Sequence, residues 1–227
     1  AGQAIVLRVS EGAVSFSGET PVTTGLLDVE AQTGITLNTQ IEELVARNLG
    51  LGDIRIVEAD DIVLRDLTAA DGMIEVRAGG PITAHQVAVS VDDIGNDIRL
   101  TASAGDILVG ALIVGKTHGS VFIDAQDGFI LEIGPPDADA DVVGYFGRLN
   151  SLPTTGIPID PALSLEFDLE VLRSATTDLV LNVDGDIELN TEVVGAAEVT
   201  ATGTIIVTYL SVAGGLVNLN AGGDILI

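Results

Sequence analysis

The stretch Leu100–Ile107, which reads LTASAGDI, decides the fold, because the chain repeats it near its end as LNAGGDI over Leu219–Ile225. In each copy an alternating apolar segment closes on alanine, and a short turn containing Gly-Asp then leads to an isoleucine. Alternation with period two predicts a strand with one buried face, and clusters of Gly, Asp and Ser predict turns. The sequence therefore repeats a strand–turn–strand unit.

This unit recurs along most of the chain. Up to Ile130, the starts of successive second strands lie 20 to 27 residues apart, and a repeat of roughly 20 to 25 residues is typical of solenoid proteins. First strands closed by Ala or Val are found at Ile5–Val9, Leu27–Ala31, Ile74–Ala78, Ile98–Ala102, Val121–Ala125, Leu179–Val183 and Val217–Ala221, with a variant one residue longer at Ile54–Ala59. Second strands start at Val14, Ile35, Ile62, Ile82, Ile107, Ile130, Ile187 and Ile225.

Two all-β architectures fit such short strands, a single-stranded parallel β-helix (β-solenoid) and a β-sandwich. A sandwich gives no reason for the same residue class to recur at the same place in each repeat. A β-helix does, because a tight inner corner repeated in every coil accepts only small side chains. We therefore expect a β-helix of about nine coils, roughly 45 Å long at about 4.8 Å per coil. The predicted corner residues are Ala31, Ala59, Ala78, Ala102, Ala125 and Ala221.

The repeat divides the chain into three regions: coils over 1–133, an insertion over 134–178, and coils of the same domain over 179–227. Five of the seven prolines lie in the insertion, and proline cannot donate to a strand ladder. This predicts a loop-rich excursion whose best strand candidate is Leu165–Leu169. Helical spacing is found at Ile41–Val45, which predicts either a short helix or a wide turn.

Composition excludes several classes of function. The chain has 227 residues, 34 acidic residues against 9 basic ones, a net charge of −25 and no cysteine. Nucleic acids and anionic membranes require clustered basic residues, so we expect neither as a partner. Without cysteine there is no disulfide and no thiolate zinc site. The longest nearly apolar run, Ile107–Gly115, is too short for a membrane span, which needs roughly 18 residues.

The insertion supplies the candidate binding residues. Tyr145 and Phe146 stand out in a chain with only 3% aromatic residues, and Arg148 follows them closely. Long excursions from a regular scaffold often carry binding, so these three residues are predicted to contact a partner. The alternative is that the aromatic rings anchor a solvated loop against the solenoid.

Alternating carboxylates at Asp137, Asp139 and Asp141 are the candidate metal ligands. They resemble the opening of an EF-hand loop, but Val142 and Arg148 stand where that loop needs Gly and Glu. Together with backbone carbonyls they could still form a weak Ca²⁺ site, and no other cofactor is expected. The remaining turn acids are expected to cap turns through their own backbone amides, and the two histidines to lie on the surface. These acids are Asp106, Asp184, Asp186 and Asp224, and the histidines are His85 and His118.

The repeated stretches Leu100–Ile107 and Leu219–Ile225 resemble the repeats of filamentous-haemagglutinin-like large exoproteins and related bacterial surface adhesins. This resemblance implies a right-handed parallel β-helix in a long secreted or surface-attached rod that serves adhesion, biofilm or cell-envelope structure. The Asn-Pro-Asn-Gly-Ile secretion motif of two-partner-secreted members is missing from the sequence. The resemblance therefore does not specify an export route.

We accordingly expect an extracellular structural or adhesive β-solenoid segment of a large surface protein or filament, without enzyme activity. The alternatives are a carbohydrate-active β-helix, which requires two or more carboxylates and an arginine converging on one face, and a self-assembling filament or surface-layer subunit. The chain starts near a strand and stops inside one. The expected partners are therefore flanking repeats of a longer chain or copies of itself end to end, with a cell-surface glycan or protein as a further partner.

Overall fold

A computed structural model describes residues 2–133, 141–151, 166–176, 179–183, 186–193 and 196–227. All regular structure in these residues is β-strand, in 22 strands. The strands are β1 (Ala4–Arg8), β2 (Val14–Phe16), β3 (Val22–Ala31), β4 (Ile35–Leu51), β5 (Ile54–Glu58), β6 (Ile62–Asp71), β7 (Ile74–Ala78), β8 (Ile82–Ala84), β9 (Val87–Val89), β10 (Ile98–Ala102), β11 (Ile107–Val109), β12 (Leu112–Ile113), β13 (Ser120–Ala125), β14 (Ile130–Glu132), β15 (Val142–Ser151), β16 (Glu166–Thr176), β17 (Leu179–Val183), β18 (Ile187–Val193), β19 (Ala197–Ala201), β20 (Ile205–Val212), β21 (Val217–Ala221) and β22 (Ile225–Leu226).

The strands form a parallel β-solenoid of about nine coils. Each strand pairs in parallel with its equivalents in the neighbouring coils: β7, for example, pairs with β5 on one side and β10 on the other, with Ile74 opposite both Ile54 and Ile98. The described residues contain no helix, and therefore none that could cross a membrane. The predicted β-helix is confirmed, and the β-sandwich alternative is wrong because the paired strands run parallel.

The central coils have three faces. Face 1 contains β5, β7, β10 and β13, face 2 contains β8, β11 and β14, and face 3 contains β9 and β12. On each face the inward residues stack as columns of aliphatic side chains, which are spaced by about 4.8 Å between coils. Ile54, Ile74 and Ile98 in the face 1 column are fully buried. The core is therefore a set of continuous aliphatic columns.

The residues predicted to start the second strands do not all lie in the same column. Ile62 stacks with Ile82, Ile107 and Ile130 on face 2, as expected. Val14 and Ile35, however, stack with Ile54 at the start of face 1. Both faces begin with a β-branched residue after a turn, so the sequence pattern alone does not distinguish them.

The predicted alanine corner is confirmed for three residues. Ala78, Ala102 and Ala125 stack directly at the end of face 1 and are buried. The prediction is wrong for Ala31 and Ala221, which do not belong to this column. Ala31 pairs with Asn48, and Ala221 pairs with Ala201 in the column that contains Val183, Val142 and Leu112.

The assignment of Ala59 to the corner is wrong, because Ala59 is exposed. Glu58 pairs with Ala78 and occupies the corner instead, and the register from Ile54 to Glu58 contains no bulge. Glu58 is only 3% exposed.

The helical spacing at Ile41–Val45 does not mark a helix, because these residues lie inside β4. Ile41 and Leu44 are buried, while Glu42 and Glu43 between them are not. The chain passes from face 1 towards face 2 at this point, since Thr39 pairs with Glu58 and Leu44 with Leu64. Because Glu42 and Glu43 both point outward at this corner, the buried residues Ile41 and Leu44 are three positions apart instead of two. This spacing resembles that of a helix.

Parts of the predicted insertion continue the strand ladder. β15 pairs with β12 and β13, and β16 pairs with β15 and β18. The strand predicted at Leu165–Leu169 corresponds to the start of β16, which begins at Glu166 and runs on to Thr176. Residues 134–140, 152–165 and 177–178 lie outside the described residues, so the insertion itself stays a prediction.

Candidate binding site

The outward side of face 1 carries two columns of mostly polar side chains. Because residues in a strand alternate between its two sides, the outward positions of β5, β7, β10, β13 and β15 also stack from coil to coil. In register they read Arg55, Glu75, Arg99, Phe122 and Arg148 in one column, and Val57, Arg77, Thr101, Asp124 and Asn150 in the other.

A furrow of about 210 Å³ lies along these columns. We call it the arginine furrow. Its lining combines guanidinium groups, carboxylates, an aromatic ring and neutral polar groups, which is a mixture typical of sites that recognise polar ligands. The lining side chains are Glu75, Arg77, Arg99, Thr101, Phe122, Asp124, Arg148 and Asn150.

Arg99 is held in position within the arginine furrow. Its Nη2 lies 3.0 Å from Oδ2 of Asp97, and its Cζ lies 4.3 Å from the centroid of the Phe122 ring, a cation–π geometry. The Phe122 ring also packs against Phe146, with centroids 5.8 Å apart and planes inclined by 53°. The Nε of Arg99 is buried without a hydrogen-bond partner among the described residues. The side chain of Arg99 is nevertheless 44% exposed, so the furrow holds a guanidinium in a fixed orientation.

Glu75 is neutralised by two arginines. One of its carboxylate oxygens lies 2.6 Å from Nη2 of Arg77 and the other 3.1 Å from Nη1 of Arg55. Arg55 also pairs with Asp53 at 2.8 Å. The side chain of Glu75 is only 15% exposed, so its carboxylate forms a structural clamp between two neighbouring coils, those of β5 and β7.

The other end of the arginine furrow carries less compensated charges. Asp124 accepts a hydrogen bond from Nδ2 of Asn150 at 2.8 Å, which leaves its negative charge in place. Arg148 is exposed and makes no ion pair with a carboxylate in the described part of the chain. In a protein of net charge −25, this guanidinium is a local attractor for a negative group.

The structure brings two of the three predicted binding residues to this furrow. Arg148 lines it, and Phe146 supports the Phe122 ring. Tyr145 is 43% exposed on the neighbouring corner, where its backbone N–H donates to the Gly119 carbonyl at 2.9 Å. The packing of Phe146 also agrees with the alternative that aromatic rings anchor this segment. A partner for these residues stays a prediction.

Two of the three predicted calcium ligands, Asp137 and Asp139, lie outside the described residues. Asp141 is buried, and its backbone carbonyl accepts a hydrogen bond from the Leu112 N–H at 2.7 Å. Among the residues that the structure describes, no group of three His, Asp or Glu side chains is placed to hold a metal ion. The calcium site stays a prediction.

The turn acids do bind backbone amides, but those of the next coil. Oδ1 of Asp106 accepts from the Phe129 N–H at 2.9 Å, and Oδ1 of Asp186 accepts from the Thr204 N–H at 2.6 Å. Asp53, which sequence analysis did not single out, repeats this contact with Met73. The Gly-Asp-Ile signature therefore links successive coils rather than capping its own turn. Asp184 lies outside the described residues.

Both histidines lie on the surface, as predicted. His85 is exposed, and the side chain of His118 is 44% exposed. The carboxylate of Asp92 accepts hydrogen bonds from the backbone N–H groups of Thr117 and His118, at 3.0 and 2.9 Å. Desolvation raises the pKa of Asp92, but these hydrogen bonds outweigh it and leave the pKa below its usual value.

Arg77, Arg99 and Phe122 are site residues that were not predicted from the sequence. A signal for them exists, since each occupies an outward position of a repeat that was already recognised. Aligning Ile54–Glu58, Ile74–Ala78, Ile98–Ala102 and Val121–Ala125 and reading down the outward positions gives both columns directly. The search for motifs along the chain could not find them, because the site is assembled across coils.

Comparisons with protein-family models, curated proteins and solved structures returned no match for this chain. The resemblance to filamentous-haemagglutinin-like repeats therefore stays a prediction from the repeated sequence stretches.

Proposed function

We propose that the chain is an extracellular structural or adhesive β-solenoid segment of a large surface protein or filament. One observation carries this proposal: the ladder of parallel strand pairs runs from β1 to β22, over aliphatic columns that are buried in the central coils. In such a solenoid each coil is stabilised by its neighbours, so stability accumulates along the rod. A fold of this kind acts as a spacer that holds its outward side chains at fixed intervals.

The surface charge supports an extracellular setting. With a net charge of −25, rods repel one another and stay dispersed despite a hydrophobic content of 47%. The arginines offset this charge locally, for example where Arg47 pairs with Asp66 of the next coil and Arg65 with Glu43 of the previous one. Exposed pairs of this kind contribute little to stability, so their role is to limit repulsion between neighbouring acidic residues.

Labelling of cells tests the location. Antibodies raised against the purified chain should label intact cells of the source organism at the surface, and gold particles should mark extended material in electron micrographs. Labelling that appears only after the cells are permeabilised would contradict the proposal. Adhesion is tested separately with beads coated with the chain, which should be retained on the target surface better than albumin-coated beads.

The proposed partners are further coils stacked on the terminal ones, from a longer chain or from a second copy. The support is that β22 pairs with β20 alone among the described strands, and that Ile225 is 41% exposed although its equivalent in the previous coil, Ile205, is buried. Negative-stain images at high concentration separate the two cases. Filaments would indicate a second copy, whereas persistent monomers would dismiss self-assembly.

A second candidate function is carbohydrate processing, because Glu75 and Asp124 lie with three arginines on one face. A carbohydrate-active β-helix requires carboxylates and an arginine that converge on one face, but Glu75 and Asp124 lie two coils apart, about 10 Å along the axis. The clamped carboxylate of Glu75 also disfavours this function, since a general acid must be able to give up a proton to the leaving group. A reducing-end assay with purified polysaccharides tests it, and turnover that is lost in D124N would favour catalysis over structure.

A further inference from the structure

We propose that the arginine furrow binds a polysaccharide whose sugars carry carboxylate groups, with Arg148 and Arg99 as the carboxylate-binding residues. This inference rests on the proposed adhesive function and names the ligand class of that same face. The proposal rests on two guanidinium groups in a furrow that also holds neutral hydrogen-bonding groups. That of Arg148 has no ion pair among the described residues, and that of Arg99 is held in position by Asp97 and Phe122.

Arg148 is the first proposed binding residue for a ligand carboxylate. It is exposed, lacks a carboxylate partner in the described part of the chain, and pairs in register with Phe122 of the previous coil. A planar guanidinium binds a carboxylate through two parallel N–H···O hydrogen bonds. A free carboxylate therefore fits Arg148 better than a neutral sugar does.

Arg99 is the second proposed binding residue, and its guanidinium has a fixed orientation. Phe122 and Asp97 fix its guanidinium, so little side-chain entropy is lost when a ligand binds. Its side chain is 44% exposed, so the guanidinium can donate to a ligand oxygen, whereas its Nε is buried. Arg99 and Arg148 are two coils apart, hence separated by about 10 Å along the axis. That spacing suits an extended chain with repeated carboxylates rather than a single small acid.

The neighbouring column accounts for the sugar part of the ligand. Thr101, Asp124 and Asn150 follow one another in register beside the two arginines. A hydroxyl and an amide can each donate or accept, and a carboxylate accepts from sugar hydroxyls. The negative charge of Asp124 also disfavours ligands with dense sulfate or phosphate groups, because these would place like charges together.

The length of the site agrees with a polymer. A second depression of about 400 Å³ continues along face 1 towards Asn38 and shares Glu75 and Arg77 with the arginine furrow. The two depressions thus adjoin each other along the outward side of face 1. A chain molecule lying parallel to the solenoid axis would contact several coils at once.

Calorimetric titration with oligogalacturonate, and with maltooligosaccharide as the neutral control, tests the proposal. We expect oligogalacturonate to bind and the neutral oligomer not to bind. R148Q and R99Q should each weaken binding at least tenfold, because each removes a charge-assisted contact. R65Q is the matched control, since Arg65 is equally an exposed arginine but is paired with Glu43 outside the furrow, and it should leave binding unchanged.

A second measurement does not depend on the variants. Arginine modification by phenylglyoxal, followed by mass spectrometry, should show Arg148 protected by oligogalacturonate and Arg65 unprotected. Equal binding of the neutral oligomer, equal losses in R65Q and R148Q, or tight binding of a sulfated glycan or an acidic peptide instead would each overturn the proposal. Failure of binding with surface labelling intact would reject the ligand but leave the proposed function standing.

Discussion

The end of face 1 is built in two different ways in successive coils. In three coils the corner is an alanine column, Ala78, Ala102 and Ala125, while in the two preceding coils the same position holds the polar residues Thr39 and Glu58. All five are buried. The corner therefore does not demand alanine as such. It demands either a side chain too small to collide with its neighbours or one that makes hydrogen bonds there.

Glu58 meets the second requirement. Its Oε1 accepts from the Ala59 N–H at 2.9 Å, and both carboxylate oxygens lie 3.3 Å from the Ile41 N–H of the previous coil. Burial nevertheless raises the pKa of Glu58 above its ordinary value, and hydrogen bonds with the Thr39 side chain and with the backbone N–H groups of Ala59 and Asp60 only partly offset that effect. The polar corner is thus satisfied but costly, whereas the alanine corner needs no compensation.

Placing a glutamate in the alanine corner should have the largest effect. In the coil before Ala102, the N–H equivalent to that of Ile41 belongs to Gly80, and it already donates to the Asp60 carbonyl at 2.9 Å. The new carboxylate would therefore be buried with fewer available donors than Glu58 has. We expect A102E to lower the free energy of unfolding by about 3–5 kcal/mol, as for other uncompensated buried charges.

Urea unfolding followed by circular dichroism measures this loss. S103E is the matched control, because Ser103 is the next residue along and is exposed, so the same charge should cost less than about 0.5 kcal/mol there. If A102E were as stable as S103E, the corner would tolerate carboxylates generally, and the contrast between the two kinds of corner would disappear.

Removing the amide of Asn48 should have the next largest effect. Asn48 replaces a small residue in the column of Ala31 and Ala69 and is 1% exposed. Its Oδ1 accepts from the Gly34 N–H at 2.9 Å, and its Nδ2 donates to the carbonyls of Gly50 and Gly52 at 2.9 and 2.7 Å. N48A leaves these turn groups unsatisfied and should cost about 1–3 kcal/mol.

The control for N48A lies in the same strand. Asn38 donates one exposed hydrogen bond to the Gly18 carbonyl at 2.7 Å, so N38A should change thermal stability far less. Equal melting temperatures for N48A and the unchanged protein would show that alanine serves this corner as well as asparagine does, contrary to the contacts described above.

Replacing Glu58 by glutamine should change how stability depends on pH. Because the pKa of Glu58 is raised in the folded protein, the folded state keeps a proton that the unfolded chain releases above the ordinary value of 4.5. Stability therefore falls as the pH rises from that value through the raised pKa. E58Q removes this titration. As the pH rises over that range, the free energy of unfolding of E58Q should therefore increase relative to that of the unchanged protein.

Melting temperatures measured between about pH 4 and pH 8 test this prediction. E43Q is the matched control, because its pH dependence should have the opposite direction. The hydrogen bond from Arg65 lowers the pKa of Glu43, so the stability that Glu43 contributes is lost as the pH falls. Parallel curves for E58Q and the unchanged protein would mean that Glu58 titrates normally in the folded state.

The solenoid could be predicted from the sequence, because its coils repeat the physical conditions at each inward position. Ile98, Leu100 and Ala102 follow Ile74, Val76 and Ala78 in register, and one repeated pattern therefore predicts both strands. Glu58 and Asn48 could not be predicted as corner residues. A pattern that requires alanine at the corner selects the nearest alanine in the sequence, which for Glu58 is Ala59. The arginine furrow could not be predicted either, because its residues meet only after the register between coils is known.

The smallest expected effect tests that register directly. Ala59 is the alanine that the sequence pattern places in the corner, but its side chain is exposed, whereas Ala78 is buried between Glu58 and Ala102. A59L should therefore change the free energy of unfolding by less than about 0.5 kcal/mol, while A78L should cost about 1–3 kcal/mol through overpacking. The comparison is made by urea unfolding of both variants under one condition. A larger loss in A59L than in A78L would mean that the strand Ile54–Glu58 is shifted by one residue, and with it every outward side chain of that coil, including Arg55.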